Sequence, residues 1–352
     1  MSGLLVTGGG ACGMALALAA KDMQTEIVSL PPRPQGRFYA LSTAAAEFLT
    51  TATGQTLPAA AQVRRFWLCA GGQRHVLPAQ DDEPLCRIVD EKSLLEWLSA
   101  ALHRRGIRVH TGEVAACRVS NDGVEVQTGD GQLITARMLA AVDGARSPTA
   151  KALGVGAAVS SFSQRAITGV FRVPDMDDET AGQWFARHDV LAFLPVGGGM
   201  FSLVWSLPAA RASALSAQGA EATAEAARAR TGLSVEATGA IVDFPLSSVR
   251  RAVRIAQNTA FVGDSARVIH PLAGQGLNIA LADAGLLIRC LQRRGMTTAA
   301  LNDYAAGGRR RGAMWHVITA FFGVGGRAVS PLFAAAAMPP IARLAARAAN
   351  MR

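Results

Sequence analysis

Leu4-Leu5-Val6-Thr7-Gly8-Gly9-Gly10-Ala11-Cys12-Gly13 opens the chain with an apolar run, a glycine turn and a small-residue stretch that continues to Ala20. Gly3 to Thr7 reads as a buried strand and Ala11 to Ala20 as a helix. Thr25 to Leu30 reads as a second strand and Pro31 to Gly36 as a loop. That order is the βαβ start of a dinucleotide-binding layer. In the G-x-G-x-x-G spacing, Gly8 permits the tight turn and Gly10 lets a backbone approach a pyrophosphate. Gly13 allows the helix to sit close to the strand, and the helix N-terminus offers N–H groups to an anion. A glycine turn can also serve packing alone. One element of the pattern is missing. An acid belongs about 20 residues after the glycines to hold the ribose, and Ser29 stands there, a weaker partner than a carboxylate.

Outward from this turn, the 352 residues suit two interleaved parts with ample core. Half the residues are hydrophobic and 17% are charged, which excludes a disordered chain. The net charge of +9 is unevenly placed. After Asp303 come seven arginines (Arg309, Arg310, Arg311, Arg327, Arg343, Arg347, Arg352) and no acid, an end suited to an anionic surface. Cys12, Cys69, Cys86, Cys117 and Cys290 are odd in number and never spaced C-x-x-C, so neither structural disulfides nor a metal site is expected, and a reducing compartment is. The uncharged first twenty residues lack a basic n-region and are broken by glycines. The uncharged run Val190 to Ala210 is broken by Pro195 and Gly197 to Gly199 and reads as strand, turn, strand. No transmembrane helix is expected.

Ser93 to Arg104 reads as an amphipathic helix with Leu94, Leu95, Leu98 and Leu102 inward. Val109 to Val126 alternates as a hairpin turning at Asn121-Asp122-Gly123, and Met138 to Val142 is a buried strand. Val155 to Val249 is rich in β-branched and aromatic residues, with a helix at Ala220 to Arg230, and reads as an inserted sheet layer. Thr259 to Val262 is a further strand and Leu277 to Leu291 a long helix. The fold expected is α/β. A Rossmann-like nucleotide domain takes residues 1–70, 90–154 and 250–303, and an inserted β-sheet substrate domain takes 71–89 and 155–249. A basic helical segment covers 304–352.

Three later loops bear on the ligand: Gly36-Arg37-Phe38-Tyr39-Ala40-Leu41-Ser42, Val142-Asp143-Gly144-Ala145-Arg146-Ser147, and the run from Gly263 to Asn278. In the last, Asp264 at a strand end can accept from a sugar-alcohol chain, and Pro271 shapes a turn. Gly274 and Gly276 let backbone lie against a flat ring, and the helix that follows offers its N-terminus to negative charge. An ordinary helix-entry turn is the alternative for any one loop.

With these residues the chain resembles the class A flavoprotein monooxygenases, of p-hydroxybenzoate hydroxylase fold, and among them the ubiquinone-biosynthesis hydroxylases. The resemblance rests on R-x-x-A-L-S at Arg37 to Ser42 and on G-D-S-A-R-V-I-H-P-L-A-G-Q-G-L-N from Gly263 to Asn278. Ser163 to Ala166, Ala192 to Pro195 and Ser202 to Trp205 also match, and coverage runs from Leu4 to about Tyr304. The resemblance implies FAD, with Gly8, Gly10, Gly13 and Arg37 on its ADP part and Asp264 at the ribityl or pyrophosphate region. Pro271, Gly274, Gln275, Gly276, Leu277 and Asn278 would line the isoalloxazine. Asp143-Gly144 is similar to a second fingerprint tied to FAD and pyridine nucleotide. Arg267 stands where the family has histidine, and Pro148 follows Ser147 unusually. With Ser29, these are the departures.

The implied reaction is hydroxylation of the aromatic ring of a prenylated phenol in ubiquinone biosynthesis. It uses O2 and a flavin C4a-hydroperoxide, with NAD(P)H as electron donor. His270 suits a proton-handling role or a turn bonded to backbone. Trp184, Phe185, Phe193 and Trp205 suit a pocket wall or a core. In the tail, Met314, Val317, Ile318, Phe321 and Phe322 make one helical stripe, and Pro339-Pro340 can start a second, basic helix. Such a segment packs on the body or lies on a membrane, and a polyprenyl substrate favours a cytoplasmic protein peripheral on the inner membrane. Nucleic acid is not an expected partner; other ubiquinone-biosynthesis proteins are. The rival readings are a flavin reductase or halogenase, though W-x-W-x-I-P is absent, and a non-catalytic accessory subunit with a weakened flavin site.

Overall fold

The computed structural model describes residues 2–79, 82–120, 122–186, 188–251, 253–268 and 275–309. The opening strand Ser2–Thr7 (β1) is fully buried, and helix Ala11–Ala19 (α1) is buried along nearly its whole length. Its run of Ala, Gly and Leu explains why. Small residues let neighbouring helices and the sheet approach on every side, so no polar face is needed. Strand Thr25–Ser29 (β2) then pairs parallel with β1, in register Leu4 to Thr25.

β1 lies mid-sheet. The order is Ile255–Ala256, Thr259–Phe261, Leu133–Ala141, β1, β2, Arg108–Thr111, with the hairpin Val114–Ser120 and Gly123–Thr128 joined to Leu133–Ala141. Its central pairs are parallel. Helices Thr43–Thr53, Glu91–Arg104 and Gly276–Arg294 cover it together with α1 and form the largest core cluster. Leu94, Leu98 and Leu102 turn inward as the periodicity predicts. Asp90 caps that helix by accepting from the Ser93 N–H at 2.8 Å.

The second sheet is eight-stranded, in the order Arg267–Val268, Glu236–Arg251, Ala157–Arg172, Met200–Pro208, Val190–Gly197, Thr180–Phe185, Arg65–Ala70, Gln73–Pro78. Helices Ala209–Gln218 and Ala220–Thr231 pack on one face, where Ala212, Ala224 and Ala227 meet Trp205, Leu203 and Phe193. Trp184, Phe193 and Trp205 belong to this core. Strand Arg65–Ala70, which the sequence reading grouped with the nucleotide layer, runs in this sheet, parallel to Thr180–Phe185.

A third, small sheet of Phe38–Leu41, Cys86–Asp90 and Ala61–Val63 joins the two layers. The sequence pattern alone presents Gly36 to Ser42 as a loop and assigns no element to the helix Thr43–Thr53 that follows. The R-x-x-A-L-S stretch is in fact a strand followed by the N-cap Ser42, whose Oγ accepts from the Ala45 N–H. Likewise Pro148 does not break the chain. Ser147 caps the short helix Pro148–Ala152, and Pro148 takes its first turn, where its missing N–H costs nothing. No helix among the described residues is long and apolar enough to cross a membrane. His270, Pro271 and Gly274, and the tail stripe and Pro339-Pro340, lie outside the described residues.

Candidate functional site

The glycine turn shows why each glycine is needed. Gly8 has φ +105°, and a Cβ there would meet the Val142 carbonyl at 2.5 Å. A Cβ on Gly13 would lie 1.9 Å from the Gly8 oxygen, so α1 and β1 approach closer than any side chain permits. Gly10 differs. A Cβ there would meet nothing within 4 Å, and Gly10 is the N-cap of α1 without a side-chain cap. An uncapped helix N-terminus facing open space, with no acid in its first turn, has the geometry of an anion cradle. The residues fit the pyrophosphate of a dinucleotide. Ser29 does less than the sequence suggests. Its Oγ donates to the Leu30 carbonyl at 2.5 Å and packs against Gly9.

The later loops converge on this turn. Gly263, at φ +63°, sits so close to Ala280 and Cys12 that a Cβ would come within 2.8 Å of the first and 3.7 Å of the second. Asp264 follows and is exposed to solvent. Surrounding protein pushes its carboxyl above the usual range, against the pull of the Arg37 guanidinium. Burial pushes the Cys12 thiol well up, and Asp283 and Asp264 add to it. Cys12 is therefore a neutral packing residue.

Arg37 comes within electrostatic reach of Asp264 from a different loop. Its guanidinium lies 5.8 Å from the Phe244 ring centroid and bonds the Gln35 side chain. A residue the sequence reading missed holds this loop in place. The buried Glu91 carboxylate accepts from the Gln35 N–H at 2.6 Å, the Arg37 N–H at 3.4 Å and the Tyr39 hydroxyl at 2.8 Å. Its only sequence signal is an acid just after the Asp90 cap. Burial, and then Glu91, push the Tyr39 phenol well above its ordinary range.

Asn278, read as a ring-lining residue, spends its side chain otherwise. Nδ2 donates to the Ala40 carbonyl at 2.8 Å and to Gln275 Oε1 at 3.1 Å, and Oδ1 accepts from the Ser42 N–H at 3.0 Å. It ties the start of helix Gly276–Arg294, with Gln275 at its cap and Leu277 beside it, to the Arg37 loop. Asp143 is committed too. Oδ1 accepts from the Ser147 hydroxyl at 2.5 Å and Oδ2 from the Thr149 N–H at 2.9 Å, so it braces the short helix behind Gly8.

Within electrostatic reach of Cys12, through Asp283, lies a buried charged cluster. Arg254 donates from Nη1 and Nη2 to Asp283 Oδ2, each at 3.0 Å, and from Nη1 to the Tyr304 hydroxyl at 3.1 Å. Tyr304 donates to the Phe261 carbonyl at 2.6 Å. Arg267 Nε and Nη2 are buried near this cluster with no partner among the described residues. Burial lowers the Arg267 pKa, Arg254 repels it further and Asp283 opposes both.

Residues 44–314 match the sequence model of the FAD binding domain family. The chain belongs to that family. Taken with its hydroxylase relatives, this is an FAD-dependent flavoprotein of the aromatic-ring monooxygenases. The ubiquinone hydroxylase of Rhodospirillum rubrum is 27% identical over 332 residues, covering 86% of this chain and 76% of that protein. The 3-demethoxyubiquinol 3-hydroxylase of Escherichia coli is 29% identical over 59% of this chain, and the match spans only 54% of that enzyme. Among solved structures, p-nitrophenol 4-monooxygenase of Pseudomonas putida superposes with TM-score 0.77 at 18% identity, over 100% of this chain and 99% of the other. The Klebsiella pneumoniae protein HpxO, solved with FAD and uric acid, gives 0.77 at 15% identity over 99% and 96%. The fold expected from the family is the fold observed.

Proposed function

We propose that the protein hydroxylates the aromatic ring of a prenylated phenol in ubiquinone biosynthesis, with O2 and with FAD reduced by NAD(P)H. One observation carries the reading. The Gly263–Asp264 turn lies against Cys12 in the first turn of α1, whose N-terminus at Gly10 is uncapped, and within electrostatic reach of Arg37, and the sequence relatives are ubiquinone hydroxylases. In this reading the first-turn N–H groups after Gly10 hold the pyrophosphate, Arg37 steadies the ADP part, and Asp264 accepts from the ribityl or ribose hydroxyls. Gln275, Gly276 and Leu277 begin the helix whose N-terminus meets the ring, and Asn278 fixes that helix against Ala40 and Ser42. Asp143 acts through Ser147 and Thr149, as a brace. Bound FAD supplies the oxygen activation; the chain orients the phenol and excludes water. Pro271 and Gly274 shaping the ring loop, and His270 handling a proton there, are parts of the proposal that rest on sequence, as is peripheral membrane contact by the arginine-rich end.

Purified protein tests this directly. The expected result is a yellow protein with a flavin spectrum, NAD(P)H oxidation stimulated by a prenylphenol, and product carrying one added ring oxygen by mass spectrometry. The intramolecular bond of Ser29 favours one second reading, an accessory subunit that holds FAD weakly. A colourless protein with no measurable FAD binding on titration selects that reading.

A further inference from the structure

The second sheet buries polar side chains that the fold does not use. Its helix-covered face carries Trp184, Leu191 and Trp205. The alternate residues turn to the opposite face. There the register sets Leu68, Gln183, Ala192, Val204, Thr168 and Val242 in one row across five strand pairings. Ser206 lies in the next row on one side and Ser202 in the next on the other. Gln183 is 4% exposed, Ser202 3% and Ser206 4%. None of the three side chains has a hydrogen-bond partner among the described residues, yet their polar atoms are not sealed off as those of Trp205 and His75 are. Buried groups of this kind are satisfied by something that enters.

The wall has a direction. Along the row, exposure rises from Gln183 to 58% at Val242. Phe244, one row away, lies under the Arg37 guanidinium, so the open end borders the Arg37 loop. At its other edge Ala181 and Leu194 pack on Ala40 and Ile88 of the small sheet. The three rows contain no Asp, Glu, Lys or Arg.

Building on the hydroxylase reading above, we propose that Gln183, flanked by Ser202 and Ser206, is the specificity-determining residue that recognises the oxygen substituents of an uncharged aromatic ring. A primary amide both donates and accepts, so one group serves a phenol hydroxyl and a neighbouring ether or carbonyl oxygen. Around Gln183 the rows carry no cation of their own, Arg37 lying at the Phe244 end, so a ring carboxylate held at Gln183 would be buried unpaired. The substrate class is therefore a neutral phenol with an apolar substituent, and not an aromatic acid.

The test uses the full chain loaded with FAD and isothermal titration of three probes: 2-geranylphenol, geranylbenzene and 3-geranyl-4-hydroxybenzoate. Wild type is expected to bind the phenol about tenfold tighter than the hydrocarbon, the value of one net hydrogen bond, and to bind the benzoate more weakly than the phenol. Gln183→Leu is expected to bring phenol and hydrocarbon within about twofold. FAD content should be unchanged, and because an unpartnered buried amide is removed, the melting temperature should be equal or higher. Ser206→Ala is expected to show a smaller loss of the same kind. Undiminished discrimination in Gln183→Leu overturns the assignment while leaving the hydroxylase reading intact. Benzoate binding as tight as that of the phenol overturns the neutral-wall claim. A wild type that holds FAD and binds no probe removes both the assignment and the reading beneath it.

Discussion

The Ser42 backbone N–H donates to Asn278 Oδ1 across 3.0 Å, although 236 residues separate the two in sequence. Asn278 also takes the Ala40 carbonyl, so one amide side chain sews the helix that begins at Gly276 to the strand that ends at Leu41. Asn278→Leu leaves a buried N–H and a buried carbonyl unpaired. A loss of about 2–4 kcal/mol in urea denaturation is expected, with weaker FAD binding by titration. A variant as stable as wild type would show the amide to be dispensable.

Gly13 and Gly10 are three residues apart and predict opposite outcomes. Gly13→Ala puts a methyl 1.9 Å from the Gly8 oxygen, and backbone must move. The expected cost is about 3 kcal/mol, seen as a lowered melting temperature together with lost FAD binding. Gly10→Ala has φ −72° and an empty surround, so melting of the cofactor-free protein should shift by less than about 1 kcal/mol. FAD affinity should nevertheless fall, because the methyl enters the space assigned to the pyrophosphate. Unchanged affinity in Gly10→Ala would remove the pyrophosphate from that helix end.

Asp283 is the anion on which the buried Arg254 relies. Asp283→Ala strands that guanidinium and is expected to cost about 3–5 kcal/mol. Tyr304→Phe removes only the hydroxyl that bonds Arg254 and Phe261, for about 1–2 kcal/mol. Chemical denaturation of both variants checks the ranking, and a reversed order contradicts it.

Asp264 links pH to stability. Its folded pKa is raised, so the folded protein binds this proton more tightly than the unfolded chain does. The unfavourable contribution is present above the raised pKa and disappears below the ordinary carboxylate value of about 4. In the cofactor-free protein, Asp264→Asn is expected to raise the melting temperature near neutral pH. That gain should shrink as the pH falls, and FAD affinity should drop throughout. A stability gap independent of pH would show that the carboxylate is not strained.

Much of this arrangement is legible along the chain because it is local. The 3.6-residue and two-residue periodicities of Leu94, Leu98 and Leu102 and of Val190 to Pro208 act within one element, and the glycine spacing Gly8, Gly10, Gly13 is a property of one turn. The helix at Thr43–Thr53 is not legible in that way. Its alanines and threonines carry little periodic contrast, and its N-cap Ser42 sits in a motif that also suits a loop.

By itself, then, the sequence determined the strand–turn–helix that opens the fold, the α/β class and the family, since these follow from short-range pattern and residue type. Only the tertiary structure decided what the polar side chains do. Asn278 and Asp143 became braces, Glu91 the organiser of the Arg37 loop, Ser29 a partner of its own backbone, and Gln183 an unpaired amide on a buried wall. A hydrogen bond needs a partner within about 3 Å, and for these residues the partner's position is set by folding, across separations that no local pattern records.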